Sequence, residues 1–331
     1  MRLRHSLFAA LALLILAGGG TPAPAAGPVP AAPDAVEVRA SQVILSHENP
    51  SVDRIDSLRF LGGFDLRSRD SRFGGFSGLD ISPDGTRLLA VGDRGTWFEA
   101  TLLYTADGHL RDIAGVRLSP VLDTAGQPLA TDKARDAEAI ARLPDGSLVV
   151  GFEHMHRLDR FASPQSPAQP FRAPAMLAAS PPNGGAEAVT ALLDGRLLVL
   201  SERLEARPGV AGGWLGRPGD WRAVGFKRTG IFVPVGASTR DDGTVFILER
   251  RYTTIGGIGS RISLVPPEMI APGAIFEGRE IAQITPPLAA DNYEGIAVRR
   301  GKAGETLIYL ISDDNFNALQ RTLLMLFALE E

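Results

Sequence analysis

The sequence predicts an all-β chain folded as a β-propeller of five four-stranded blades, with room for a divergent sixth. Three observations carry this expectation. A pattern of β-rich run, turn and second β-rich run occurs five times. Asp-Gly stands at the turn in four of those copies, and no segment keeps a helical period over a convincing length.

Taken in chain order, residues 1–26 have the layout of an export signal. Arg2, Arg4 and His5 precede an apolar run from Leu7 to Ala17, and Ala23-Pro24-Ala25 or Ala25-Ala26 offers a cleavage point. The run is shorter than the roughly 20 residues that a bilayer span needs. No cysteine lies near the cleavage region, so lipoprotein attachment is excluded. Residues 27–40 read as a flexible linker and 41–331 as the propeller domain. The expected location is the periplasm or the exterior, with no membrane span in the mature chain.

The chain contains no cysteine, so a hydrophobic core rather than disulfides must hold it. The formal net charge is −4 and no block of Lys or Arg appears. Nucleic acid and anionic membrane surfaces are therefore excluded as expected partners. A monomer is expected.

The first repeat runs from Phe76-Ser77-Gly78 through Pro83-Asp84-Gly85 to Gly92-Asp93-Arg94. The second runs from Ala137-Glu138-Ala139 through Asp145-Gly146 to Phe152-Glu153, and the third from Ala186-Glu187-Ala188 through Asp194-Gly195 to Glu202-Arg203. The fourth holds Val235-Gly236, Asp242-Gly243 and Glu249-Arg250. The fifth holds Tyr293-Glu294-Gly295, a longer turn and Ser312-Asp313-Asp314. Asp-Gly between apolar runs marks a hairpin, because Gly accepts the positive φ of a tight turn. Copies start about 50 to 60 residues apart, enough for a four-stranded blade. A β-sandwich is the structural rival, but sandwiches do not impose so regular a period. Thr322 to Leu329 and Leu58 to Phe64 each read as a strand outside the repeats. Their pairing would complete the last blade and protect an open edge.

The repeat sets acids at fixed offsets. Glu138 and Glu153 flank Asp145, and Glu187 and Glu202 flank Asp194, at matching distances. A two-residue turn makes each pair face directly; a three-residue turn with a bulge leaves them diagonal. Glu294, Asp313, Asp314, Asp93 and Glu249 stand at related positions. Like charges opposed in a sheet are destabilising, so a counter-charge is required. One supplier is a hard divalent cation, Ca2+ or Mg2+, on oxygen ligands. The other is arginine, since Arg94, Arg203 and Arg250 follow acids at three hairpin ends. A propeller would gather these ends around one axis.

His154 and His156 share a strand face if the strand continues past Glu153, yet they lack a third partner at recognisable spacing. Ser77 takes the slot held elsewhere by Glu138 and Glu187. Gly75-Phe76-Ser77-Gly78 misses the nucleophile-elbow pattern by one position, and no phosphate-cradling or dinucleotide fingerprint is present.

Several stretches resemble the bacterial phytase-like family, described as having esterase-like activity of phytase. They include Phe73-Gly74-Gly75-Phe76-Ser77-Gly78-Leu79, Gly92-Asp93-Arg94-Gly95, Asp136-Ala137-Glu138-Ala139-Ile140, Gly151-Phe152-Glu153, Asn292-Tyr293-Glu294-Gly295 and Ser312-Asp313-Asp314-Asn315-Phe316. The resemblance implies a propeller and hydrolysis of a small-molecule ester or phosphoester.

Two functional expectations follow. In the first, Glu138, Glu187, Glu294 and Asp313 hold a divalent cation, expected to be Ca2+. Glu153 and Glu202 then serve as further ligands or base, and Arg94, Arg203 and Arg250 hold an anionic substrate group. In the second, the propeller is a non-catalytic binder of a ligand or envelope protein, and the cation is structural.

Overall fold

The computed structural model describes residues 33–254 and 256–330. The export-signal segment 1–26 lies outside them. No helix of the described residues is long and apolar enough to cross a membrane.

Five sheets, antiparallel but for one short parallel pair at the edge of the third, stand around one axis as the blades of a propeller. The inner strands Phe76–Ile81, Ala137–Arg142, Ala186–Ala191, Val233–Thr239 and Tyr293–Arg300 neighbour one another in a closed ring. That ring excludes the sandwich. Each inner strand pairs outward with a second strand: Arg87–Gly92, Leu148–Phe152, Leu197–Arg207, Val245–Thr253 and Thr306–Ser312. In the first four blades the third and fourth strands follow in chain order, as an up-and-down meander.

Closure follows the expected pairing. Thr322–Leu329 is the third strand of the fifth blade, and the N-terminal strand Leu58–Ser68 pairs antiparallel beside it, Leu324 opposite Phe64 and Leu329 opposite Leu58. The two chain ends thus share one sheet. Asp34–Ala35 adds to the outer edge of the first blade and Val38–Gln42 to that of the fifth. The described part of the segment read as a linker is therefore partly strand.

Second strands are buried on both faces, Leu148–Phe152 and Thr306–Ser312 along their whole length, because each blade packs between two others. Five apolar clusters result, one at each blade interface. The ring of interfaces distributes a single domain's core into five wedges.

The hairpin turns decide the register left open by the sequence. Leu143 N–H donates to Ser147 O at 2.8 Å, Leu192 to Arg196 O at 2.7 Å and Arg240 to Thr244 O at 2.8 Å. Each encloses a three-residue loop ending on a glycine in the left-handed region, as at Gly146 with φ +85°. The turn Asp carboxylates cap the loops, accepting from Ser147, Arg196 and Thr244 N–H. Glu138 and Glu153 consequently do not face each other; Glu153 N–H donates instead to Asp136 O at 2.8 Å.

Candidate functional site

At the end of the axis away from these turns, every inner strand carries a β-bulge at one equivalent residue. The register slips between Phe76 and Gly78, opposite Gly151 and Phe152, between Ala186 and Ala188, between Pro234 and Gly236, and between Tyr293 and Gly295. The extra residues are Ser77, Glu138, Glu187, Val235 and Glu294. A bulge re-aims the side chain it carries, and here it recurs in all five blades.

A second set lies one residue beyond the pair that closes each bulge. Gly92, Phe152, Ser201, Glu249 and Ser312 close the bulges, so the next residues are Asp93, Glu153, Glu202, Arg250 and Asp313. This corrects two expectations. Glu249 is not equivalent to Glu153 and Glu202: it is fully buried inside its blade, accepting from Arg261 and from Ser263 Oγ at 2.9 Å. Arg250 is not in series with Arg94 and Arg203 either. It takes the acid's place in the fourth blade, and Arg251 is the residue equivalent to Arg94 and Arg203. The offset of eight residues from the turn Asp lands on Glu153, Glu202 and Arg250 alike, and is the signal that distinguishes them.

The two sets place seven carboxylates against one guanidinium. Arg250 Nη2 donates to Glu202 Oε1 at 2.9 Å, while Nη1 donates to Asn292 Oδ1 at 2.7 Å and to Glu294. Ser77 Oγ and Asn292 Nδ2 each complete Glu294 at 2.9 Å. Burial alone would lower the Arg250 pKa, but Glu294 and Glu202 hold it above its ordinary value. The blade that lacks an axial acid thus neutralises one acid in each neighbouring blade.

The remaining acids have no such partner. Glu187 is 7% exposed, and its side-chain hydrogen bond is to the Glu153 carboxyl. Glu138 is half-buried. Burial, then the charges of Glu294, Asp136, Glu153 and Asp313, push its carboxyl well above the usual range. Burial and Glu138 do the same to Glu187. Asp313 is raised by burial and then by Glu294, although Asn315 N–H donates to it at 2.6 Å. Asp93 is pushed up to about 7 by burial and next by Asp136. Its Oδ1 is buried without a hydrogen-bond partner among the described residues. Burying like charges together without neutralisation is costly.

Among the described residues one group has metal-ligand proximity: a single donor atom from each of Asp136, Glu153 and His154, all within 4.8 Å of one another. His154 sits in the left-handed region at φ +50°, and its Nδ1 contacts Asp136 Oδ2. His156 does not join it; its Nε2 meets Ser180 O at 3.0 Å. Asp136 carried no signal of its own in the sequence beyond its place before Glu138.

The rim carries the arginines. Arg203 donates to Glu202 at 3.0 Å and is largely exposed. Arg94 has no carboxylate partner among the described residues; its guanidinium lies 3.2 Å from the centre of the Phe316 ring. Arg250, Arg251 and Arg203 line a cavity of about 320 Å3 together with Ile231, Tyr252 and Gln320. Ile231 and Tyr252 are 59% and 75% exposed there, giving the cavity an apolar lip beside its charges.

A family model described as Phytase-like, esterase-like activity of phytase, matches residues 71–316. Among solved structures, one described as a candidate gluconolactonase aligns over 90% of this chain and 97% of its own at 12% identity and TM-score 0.44. A virginiamycin B lyase from Staphylococcus aureus aligns over 83% and 71% at 13% identity and TM-score 0.37. No curated protein matches the sequence at a significant level.

Proposed function

The chain belongs to the phytase-like family, and from that premise we propose that it is an exported, cation-assisted hydrolase of small-molecule esters or phosphoesters. One observation carries the reading. Seven carboxylates converge on the axial mouth and arginine answers only two of them, Glu294 through Arg250 and Glu202 through Arg250 and Arg203. The uncompensated acids lie toward the second and third blades, where Glu138, Glu153 and Glu187 have no Arg or Lys partner among the described residues.

A divalent cation fits this donor set, and Glu138, Glu153 and Glu187 would hold it. When bound it supplies Lewis acidity toward an ester carbonyl or phosphoryl oxygen and lowers the pKa of water. Glu294 is committed to Ser77, Asn292 and Arg250, and its work is to position that arginine. Asp313 edges the site. Asp93, buried and unpartnered at Oδ1, is the group suited to take and return a proton near neutrality. The donors of Arg250 are occupied, so Arg94 and Arg251 are the guanidiniums open to an anionic substrate group.

The test is hydrolysis of p-nitrophenyl acetate, p-nitrophenyl butyrate and bis(p-nitrophenyl) phosphate with added dication and with chelator. Turnover that requires the dication and is lost in Glu187→Gln, with the melting temperature retained, supports the hydrolase. A parent protein that binds a dication and turns over none of these esters supports a binding propeller with a structural ion.

A further inference from the structure

We infer that the cation of this mouth is a first-row transition dication held by Asp136, Glu153 and His154 of the second blade with Glu187 of the third, rather than an oxygen-only ion such as Ca2+. This rests on the reading that a cation binds here; it keeps Glu153 and Glu187 of that donor set, puts Asp136 and His154 in place of Glu138, and adds which metal.

The five-fold repeat provides the comparison. The residue after the second-set position is arginine in the first, third and fourth blades, as Arg94, Arg203 and Arg251, and Asp314 in the fifth. Only the second blade places an imidazole there. Opposite the second-set position the other blades carry Gly75, Gly185, Val233 and Asn292, none of them a charged donor. Only the second blade carries a carboxylate, Asp136. The second and fifth blades both depart from the repeat here, but only the second brings an imidazole and a carboxylate to the same point.

The geometry agrees with that pattern. The three donor atoms lie within 4.8 Å of one another. Two metal–ligand bonds of roughly 2.0–2.2 Å span at most about 4.4 Å, so small side-chain rotations close the set. Glu187 comes from outside this group and points independently to a ligand. It is 7% exposed, has no hydrogen bond from a basic or amide donor among the described residues, and shares its side-chain hydrogen bond with the Glu153 carboxyl. A cation shared by Glu153 and Glu187 removes that conflict.

Ligand chemistry then chooses the ion. Calcium and magnesium take oxygen donors, whereas imidazole with carboxylates suits Zn2+, Fe2+ or Mn2+. An ordinary ion pair between His154 and Asp136 is the competing account, and it requires no metal.

The full chain is stripped with chelator and titrated separately with Zn2+, Mn2+ and Ca2+, following calorimetric heat and melting temperature. Zn2+ and Mn2+ are expected to bind at least tenfold tighter than Ca2+. His154→Asn keeps a small polar group and tolerates the positive φ; it is expected to weaken Zn2+ and Mn2+ by roughly 10–100-fold and to leave Ca2+ within about threefold. Electron spin echo spectra of the Mn2+ complex should show nitrogen coupling that vanishes in His154→Asn. Tighter Ca2+ binding, or nitrogen coupling that survives in the variant, overturns the assignment while leaving a cation-assisted hydrolase intact. Binding of none of the three ions overturns both.

Discussion

Arg250 Nη2 stands 2.9 Å from Glu202 Oε1, joining the fourth blade to the third across the acidic mouth. The same guanidinium engages Glu294 of the fifth blade, so one side chain bridges three blades. Truncating it leaves buried Glu294 with only the neutral donors Ser77 and Asn292, and leaves Glu202 with the exposed Arg203 alone. Removing one partner of a buried pair costs roughly 3–5 kcal/mol. The Arg250 side chain is 22% exposed, which reduces the expectation for Arg250→Met to about 2–3 kcal/mol. Urea unfolding measures it. A change below about 0.5 kcal/mol would show that solvent already screens the pair.

Glu187 gives the opposite sign. In chelator its carboxyl is buried among other acids with no cation, which penalises ionisation, so Glu187→Gln should melt higher than the parent. With a saturating dication the order reverses, because the parent gains binding free energy that the variant lacks. Differential scanning fluorimetry in both conditions reads the crossing. Parallel curves would remove Glu187 from any cation site.

Between the inner strands the limit is steric. A side chain at Gly236 would bring Cβ within 2.4 Å of the Glu294 carbonyl oxygen, a backbone atom that cannot rotate away. Gly236→Val should therefore force the fourth and fifth blades apart, costing about 3 kcal/mol or more. Circular dichroism melting checks this, and a variant as stable as the parent would contradict the close approach.

That contact also shows where the sequence was legible and where it was not. The inner strands, the turns and the pairing of 322–329 with 58–64 were readable because each is a local pattern of alternation or turn chemistry. The register of the acids was not fully readable. A bulge leaves no residue-type signature, since Ser77, Glu138, Glu187, Val235 and Glu294 occupy the same place. Glu249 looked equivalent to Glu153 by type, yet it lies one residue short of the eight-residue offset and turns to Arg261. The Asp136–His154 contact joins residues 18 apart through that same bulge. Its formation depends on a backbone slip that composition does not encode.

Asp93 makes the pH dependence testable. Burial, and next the charge of Asp136, hold its carboxyl at about 7, with Arg94 opposing them. The ordinary value is near 3.8, so the folded pKa is raised. A raised pKa means that the neutral acid is favoured by folding. Its stabilisation is complete below about pH 4 and is lost as pH rises through about 7. In chelator the parent should therefore lose unfolding free energy across that window. Asp93→Asn should remove about 2 kcal/mol of the loss, a figure already discounted for partial solvent contact. If Asp93 also serves as base, kcat/KM climbs with pH through the same midpoint, because the carboxylate is the active form. Asp93→Asn then flattens that limb while leaving KM for p-nitrophenyl butyrate within about threefold, since its side chain is near-isosteric. A stability change without a change in the kinetic profile would keep Asp93 as a buried acid of the mouth and remove it from the chemistry.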